Sequence, residues 1–172
     1  DLSNTADFNK PLTTFVNKKT TALLLDINDE GTQYLERTVP EHVKLYYNYK
    51  DINLSEFQLL IAVTPYLYPQ TDIQTIYYHP KVLHLGVGCR KECNSIGISE
   101  YIAEALNKNN ITIASIKDIS SIDIKKDEPL LKVLQSHFKN IPVNIYTANE
   151  LRDIEVANPS KKVEEVTTVA GV

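Results

Sequence analysis

Apolar residues along this chain gather into short runs and helical stripes, and the two patterns alternate. Phe8 to Lys19 places Leu12, Phe15 and Val16 at helical spacing among polar residues, which predicts a short amphipathic helix. Thr20 to Ile27 is rich in Thr and aliphatic residues, the pattern of a buried strand, and Asn28-Asp29-Glu30-Gly31 supplies turn chemistry after it. Val43 to Tyr47 and Phe57 to Val63 predict two further strands. The second is nearly continuous in apolar residues, as suits a strand covered on both faces. Ile73 to His79 and Val82 to Val87 are strand-like, with Pro80 between them, so a boundary is expected near His79-Pro80.

Beyond that boundary the order becomes strand, glycine turn, helix. Ile98, Ile102, Ala105 and Leu106 share a helical face, and Ile111 to Ile116 reads as a strand. Asp127 to Phe138 is amphipathic through Leu130, Leu131, Leu134 and Phe138. Pro142 to Tyr146 predicts a strand and Ala148 to Arg152 a short helix, and Ser160 is placed to N-cap a last helix running to Val166. Strands alternating with helices predict an α/β fold: a mostly parallel sheet flanked by helices over residues 81–172, preceded by a small α/β domain over residues 1–80.

Composition narrows the function classes. At 172 residues the chain can form one substantial core or two small ones, and 42% hydrophobic with 23% charged residues is ordinary for a globular protein. A net charge of -4 argues against nucleic acid as partner, though a local basic patch can still hold a small polyanion. No apolar run approaches the roughly 20 residues that span a bilayer, so no membrane partner is expected and the default location is cytoplasmic. The start at Asp1, the lack of methionine and the apolar finish Val169-Ala170-Gly171-Val172 suggest a piece of a longer protein.

Two segments carry candidate chemistry. In Leu85-Gly86-Val87-Gly88-Cys89-Arg90-Lys91, two glycines follow an apolar strand and allow a tight turn with close approach to a ligand. Free N–H groups at the following turn and helix start would favour an anion, and Arg90 and Lys91 add fixed positive charge. Gly97 comes too late to complete a dinucleotide fingerprint, and a bare Gly-x-Gly turn is equally at home as a purely structural device. In Ile124-Lys125-Lys126-Asp127-Glu128-Pro129, Lys125 and Glu128 stand three apart, so one helical turn puts them on one face. Such a pair is a solvated ion pair on a surface, or a base and charge stabiliser in a cleft.

Other groups give less. Cys89 and Cys93 form no Cys-x-x-Cys, and a zinc site would need His84 or His79 to complete it, so a reduced pair beside the loop is the reading and no metal is expected. His42, His79, His84 and His137 have no Ser or Asp at a spacing that suggests a triad. The ten tyrosines read mostly as strand or interface residues.

Five elements together resemble a known family. Leu85 to Lys91 is similar to the opening Gly-x-Gly-Cys-Arg-Lys motif of the CbiG/CobE C-terminal domain, and Lys125 to Pro129 to its Lys-x-x-Glu-Pro element. Tyr146 to Leu151 resembles its Tyr/Phe-x-x-x-Glu-Leu stretch, and Asn158-Pro159-Ser160 and Val169 to Val172 its Pro-Ser and Val-x-Gly-Val segments. Glu92 stands where that family often has Gly, and residues 1–80 look like its central domain, with the N-terminal domain absent. The resemblance implies anaerobic cobalamin biosynthesis and hydrolysis of cobalt-precorrin 5A, with opening of the ring A δ-lactone and release of acetaldehyde. It implies a cobalt-tetrapyrrole intermediate and other pathway enzymes as partners, and no cofactor, because cobalt arrives in the substrate. It gives Gly86, Gly88, Cys89, Arg90, Lys91 and Ser160 to substrate binding, Lys125 to charge neutralisation and Glu128 to proton transfer. A non-catalytic module that holds corrinoid intermediates is the alternative.

Overall fold

A computed structural model describes residues 2–3, 8–159 and 161–168. The chain divides into two compact units. One comprises Asp1–Lys81 with Asn109–Ser115, the other Val82–Lys108 with Ile116–Val172.

The first unit is built on a five-stranded sheet. Its elements are β1 (Leu2–Ser3), α1 (Asn9–Val16), β2 (Thr21–Leu25), α2 (Glu30–Arg37), β3 (Val43–Tyr46), β4 (Leu59–Val63) and β5 (Gln74–Tyr78). The strand order is β1-β5-β4-β2-β3, parallel except for β1 against β5. All five residues of β2 are buried because side chains leave it alternately to two cores. Ala22 and Leu24 meet Phe57, Leu60 and Ala62 on one face, and Leu23 and Leu25 meet Val43 and Val63 on the other. From α1, Phe15 packs on the second core, whereas Leu12 and Val16 remain exposed.

The segment Asn28 to Gly31 is not a free turn. Asp29 caps α2: its carboxylate accepts from the Thr32 N–H at 2.8 Å while the Asp29 N–H donates to Thr32 Oγ1 at 2.8 Å. Gly31 therefore lies in the first turn of a helix, and a polar sequence becomes helical because its end is satisfied at both groups. Of Ile111 to Ile116, expected as a strand, only Ile116 enters one, as the first residue of a longer strand that follows. Ile111 makes a single bridge with Tyr66, and Ile113–Ser115 forms a 3₁₀ turn. β-branched residues favour strands only where an edge is free to receive them.

The second unit contains β6 (Leu83–Gly86), α3 (Ile98–Lys108), β7 (Ile116–Ile122), α4 (Pro129–His137), β8 (Val143–Tyr146), α5 (Ala148–Leu151) and α6 (Lys161–Thr167). Its sheet is parallel in the order β6-β7-β8. Ile119 of β7 packs with Ile102 of α3 and with Leu130, Leu131 and Leu134 of α4, joined by Leu85, Val87 and Val143. One sheet face is thus closed by helices, and the expected α/β class with mostly parallel sheets is the observed one. Ser160, expected to cap the last helix, and Val169 to Val172 lie outside the described residues.

Candidate functional site

β6 ends in a tightly held peptide. The Val87 N–H donates to Ser120 O at 2.8 Å, and Val87 O accepts from Ser121 Oγ at 2.8 Å. The backbone then leaves the sheet through Gly88, Cys89, Arg90, Lys91 and Glu92, and a hydrogen bond from Cys93 N–H to Arg90 O closes the turn. Because β6 and β7 run parallel, this loop leaves the same carboxyl edge as the 3₁₀ turn Asp123–Lys125 that follows β7. The carboxyl edge of a parallel sheet is the usual place for ligands in α/β folds.

One side chain joins the two segments. Glu128 precedes α4, yet its carboxylate does not cap that helix. Its Oε2 accepts from the Glu92 N–H at 2.9 Å, and its Oε1 lies 3.5 Å from Lys125 Nζ. Both side chains are largely buried, at 13% exposure for Lys125 and 10% for Glu128, so this is not a solvated surface pair. Removing one partner would leave a buried charge alone. Glu92 has φ of 54°, a left-handed backbone that glycine adopts freely and other residues adopt at a cost. That conformation gives a physical reason for the glycine that resembled sequences often carry there.

Cys89 and Cys93 are free thiols packed on the helical core. Burial pushes the Cys89 pKa up to about 11, the hydrogen bond to Cys93 and the charge of Glu128 push the same way, and Lys125 pulls it down. These two thiols, Lys125 and Glu128 therefore occupy one neighbourhood beneath the loop. Above it, Gly88, Arg90 and Lys91 are exposed. Among the described residues, the N–H groups of Cys89, Arg90 and Lys91 have no acceptor. A Cβ on Gly88 would meet nothing within 4 Å, so internal packing does not demand glycine there. The helix start invoked from sequence plays no part in this loop, since α3 begins only at Ile98.

Chemically, this arrangement can receive carboxylates. It offers open backbone donors, two exposed cations and a third cation held from below. Residues 83–172 match the family model described as Cobalamin synthesis G C-terminus, and residues 1–80 match the one for the Cobalamin biosynthesis central region. The chain belongs to the CbiG family. It is similar to a cobalt-precorrin-5A hydrolase of Priestia megaterium, 26% identical over 161 residues, which are 91% of this chain and 43% of that protein. The chain thus spans less than half the length of that relative. Among solved structures it is similar to CobE, a protein from the cobalamin (vitamin B12) biosynthetic pathway, with 26% identity and a TM-score of 0.47 over 52% of this chain and 66% of that one. It is also similar to a cobalamin biosynthesis protein G homolog from Sulfolobus solfataricus, with 16% identity and a TM-score of 0.43 over 99% of this chain and 48% of that one.

Within this CbiG-family chain, the Glu-Leu stretch has structural employment. Glu150 and Thr147 form the capping box of α5, and hydrogen bonds from Thr147 hold the Glu150 carboxyl below the usual carboxylate range. No group of three or more His, Cys, Asp or Glu able to hold a metal exists among the described residues. No helix among them is long and apolar enough to cross a membrane. The first unit has a cavity of about 430 Å³ lined by Tyr68, Gln70, Thr71, Ile73, Thr75 and Tyr77. Its lining is neutral, which gives a polycarboxylate no partner charge.

Sequence reasoning missed one pair altogether. His84 of β6 and Asp118 of β7 stand opposite each other, and His84 Nδ1 lies 2.9 Å from the Asp118 carboxylate. Residue spacing holds no trace of it, because a register between parallel strands brings the two together.

Proposed function

We propose that this CbiG-family chain acts on a cobalt-tetrapyrrole intermediate of cobalamin biosynthesis as a cobalt-precorrin 5A hydrolase, opening the ring A δ-lactone with release of acetaldehyde. The observation that supports this reading is the joining of the cationic glycine loop to a buried Lys–Glu pair through the 2.9 Å hydrogen bond from Glu92 N–H to Glu128 Oε2. Substrate carboxylates are anchored by Arg90, Lys91 and the open N–H groups of Cys89 to Lys91, over the bare surface of Gly86 and Gly88. Ser160 is assigned to the same substrate by family resemblance alone. Water attack on the acyl carbon creates an oxyanion, and Lys125 supplies the fixed positive charge that such a site needs. Glu128 holds Lys125 in place; the family resemblance also gives it proton transfer, a role that its two engaged oxygens leave to another group. Cobalt travels inside the substrate, so the reaction asks for no resident cofactor.

One observation favours a second reading, a corrinoid-binding module without catalysis. Both oxygens of Glu128 are engaged by the protein itself, as expected of a residue whose task is to shape the loop. Lys125→Ala and Glu128→Gln separate the two readings. Under the hydrolase reading Lys125→Ala lowers acetaldehyde release about 100-fold or more, the scale of one lost oxyanion partner, with substrate still bound. Loss of binding with no turnover in the parent chain would leave only the module.

A further inference from the structure

The second-unit sheet presents a group that the reading above leaves unused. Along β6, Leu83 and Leu85 are half-buried while His84 and Gly86 are exposed, and the alternation continues to half-buried Val87 and exposed Gly88. Residues two apart in a strand share a face, so His84 stands on the same face as Gly86. Gly86 carries no side chain and Gly88 has open space about it. The imidazole therefore borders a strip of bare backbone.

The direction of that imidazole is fixed from behind. His84 Nδ1 is 2.9 Å from both oxygens of Asp118, and Ser120 Oγ donates to Asp118 Oδ1 at 3.1 Å. The Asp118 side chain is only 7% exposed, whereas that of His84 is 56% exposed. A carboxylate only accepts, so the proton facing Asp118 is on Nδ1, and in the neutral form of the ring the open lone pair is on Nε2. An ordinary surface pair leaves both groups in water and free to reorient. Here the carboxylate is buried and doubly hydrogen-bonded, while the basic nitrogen opposite it faces outward.

We propose that His84 takes the proton of the attacking water, that Asp118 is its positioning residue, and that the lactone lies over Gly86 and Gly88. This rests on the hydrolase reading. The water oxygen bonds to the acyl carbon as Nε2 accepts one of its protons, and the carbonyl π electrons move onto oxygen. When the tetrahedral intermediate collapses, the ring C–O bond breaks and the imidazolium returns its proton to the leaving oxygen. Lactone and water become a carboxylic acid and an alcohol, and the imidazole is neutral again. Acetaldehyde leaves afterwards, as that alcohol loses its O–H proton, forms C=O and releases the electron pair of its C–C bond to the macrocycle.

The test measures acetaldehyde release and substrate binding, the latter by the absorbance of the cobalt tetrapyrrole, in the parent chain, His84→Ala and Asp118→Asn. General-base loss is expected to lower turnover of His84→Ala about 100-fold or more while binding stays within about twofold, and added imidazole should restore part of the rate. Asp118→Asn should lower kcat about tenfold or more at unchanged KM and alter the ¹⁵N tautomer signature of the His84 ring. Undiminished turnover in His84→Ala overturns the proposal, as does an equal loss of binding and turnover with no rescue by imidazole. His84→Ala leaves the buried Asp118 carboxylate with Ser120 as its donor, so His84→Asn, which keeps an N–H donor beside it, is measured alongside and should lose turnover equally. A parent chain that releases no acetaldehyde overturns the hydrolase reading and this step with it. An active parent with an equally active His84→Ala overturns this step alone.

Discussion

At the scale of single residues, the candidate site depends on a few groups placed against their ordinary preferences. Glu92 takes a left-handed backbone with φ of 54°, and its N–H, not its side chain, is what Glu128 holds. Relief of the left-handed strain outweighs the extra chain entropy of glycine by about 1 kcal/mol. Glu92→Gly should therefore raise the unfolding free energy by that amount in urea denaturation, and leave substrate binding unchanged because the backbone donor is kept. A loss of stability would mean that the Glu92 side chain contributes where the structure gives it no partner. Glu128 is read differently from sequence and from structure. Three residues from Lys125, it invites assignment to proton transfer, but its second oxygen serves a loop far away in sequence. No local spacing reveals such a bond, and it makes Glu128 a residue of architecture first.

At the scale of elements, legibility followed burial. β2 and β4 were evident as apolar runs because both faces of each are covered. β7 was not, since Asp118, Ser120 and Ser121 break its apolar pattern and each has a polar partner from across the sheet or within the strand. Once those partners are known, the polar residues explain themselves, but a single segment does not name them. The helix α2 was hidden for a different reason: its start looks like a turn. The Asp29–Thr32 reciprocal hydrogen bonds are what convert it. Asp29→Ala should cost about 1 kcal/mol of stability in chemical denaturation, the usual worth of an N-cap, while Asp29→Ser should cost much less. Equal losses in the two variants would show that the cap is not what holds α2.

At the scale of the whole molecule, charge and function look opposed until they are placed. The chain carries a net charge of -4, yet the substrate proposed for it is a polycarboxylate. Arg90 and Lys91 are exposed on one loop and donors at Cys89, Arg90 and Lys91 stand open, so anion-binding groups gather there although Lys125 is paired with Glu128 and Glu92 is exposed beside them. Composition averages over the surface and cannot see this. Family membership is shown by matches over residues 1–80 and 83–172, and the motifs read from sequence fall within them. The reaction is the step that remains to be measured. Acetaldehyde release from cobalt-precorrin 5A by the 172-residue chain, run beside the Priestia megaterium hydrolase, tests it most directly. Release by both is expected, with Lys125→Ala abolishing nearly all of it in this chain. Binding of the tetrapyrrole without release, in a mixture where the bacterial relative turns over, would contradict it.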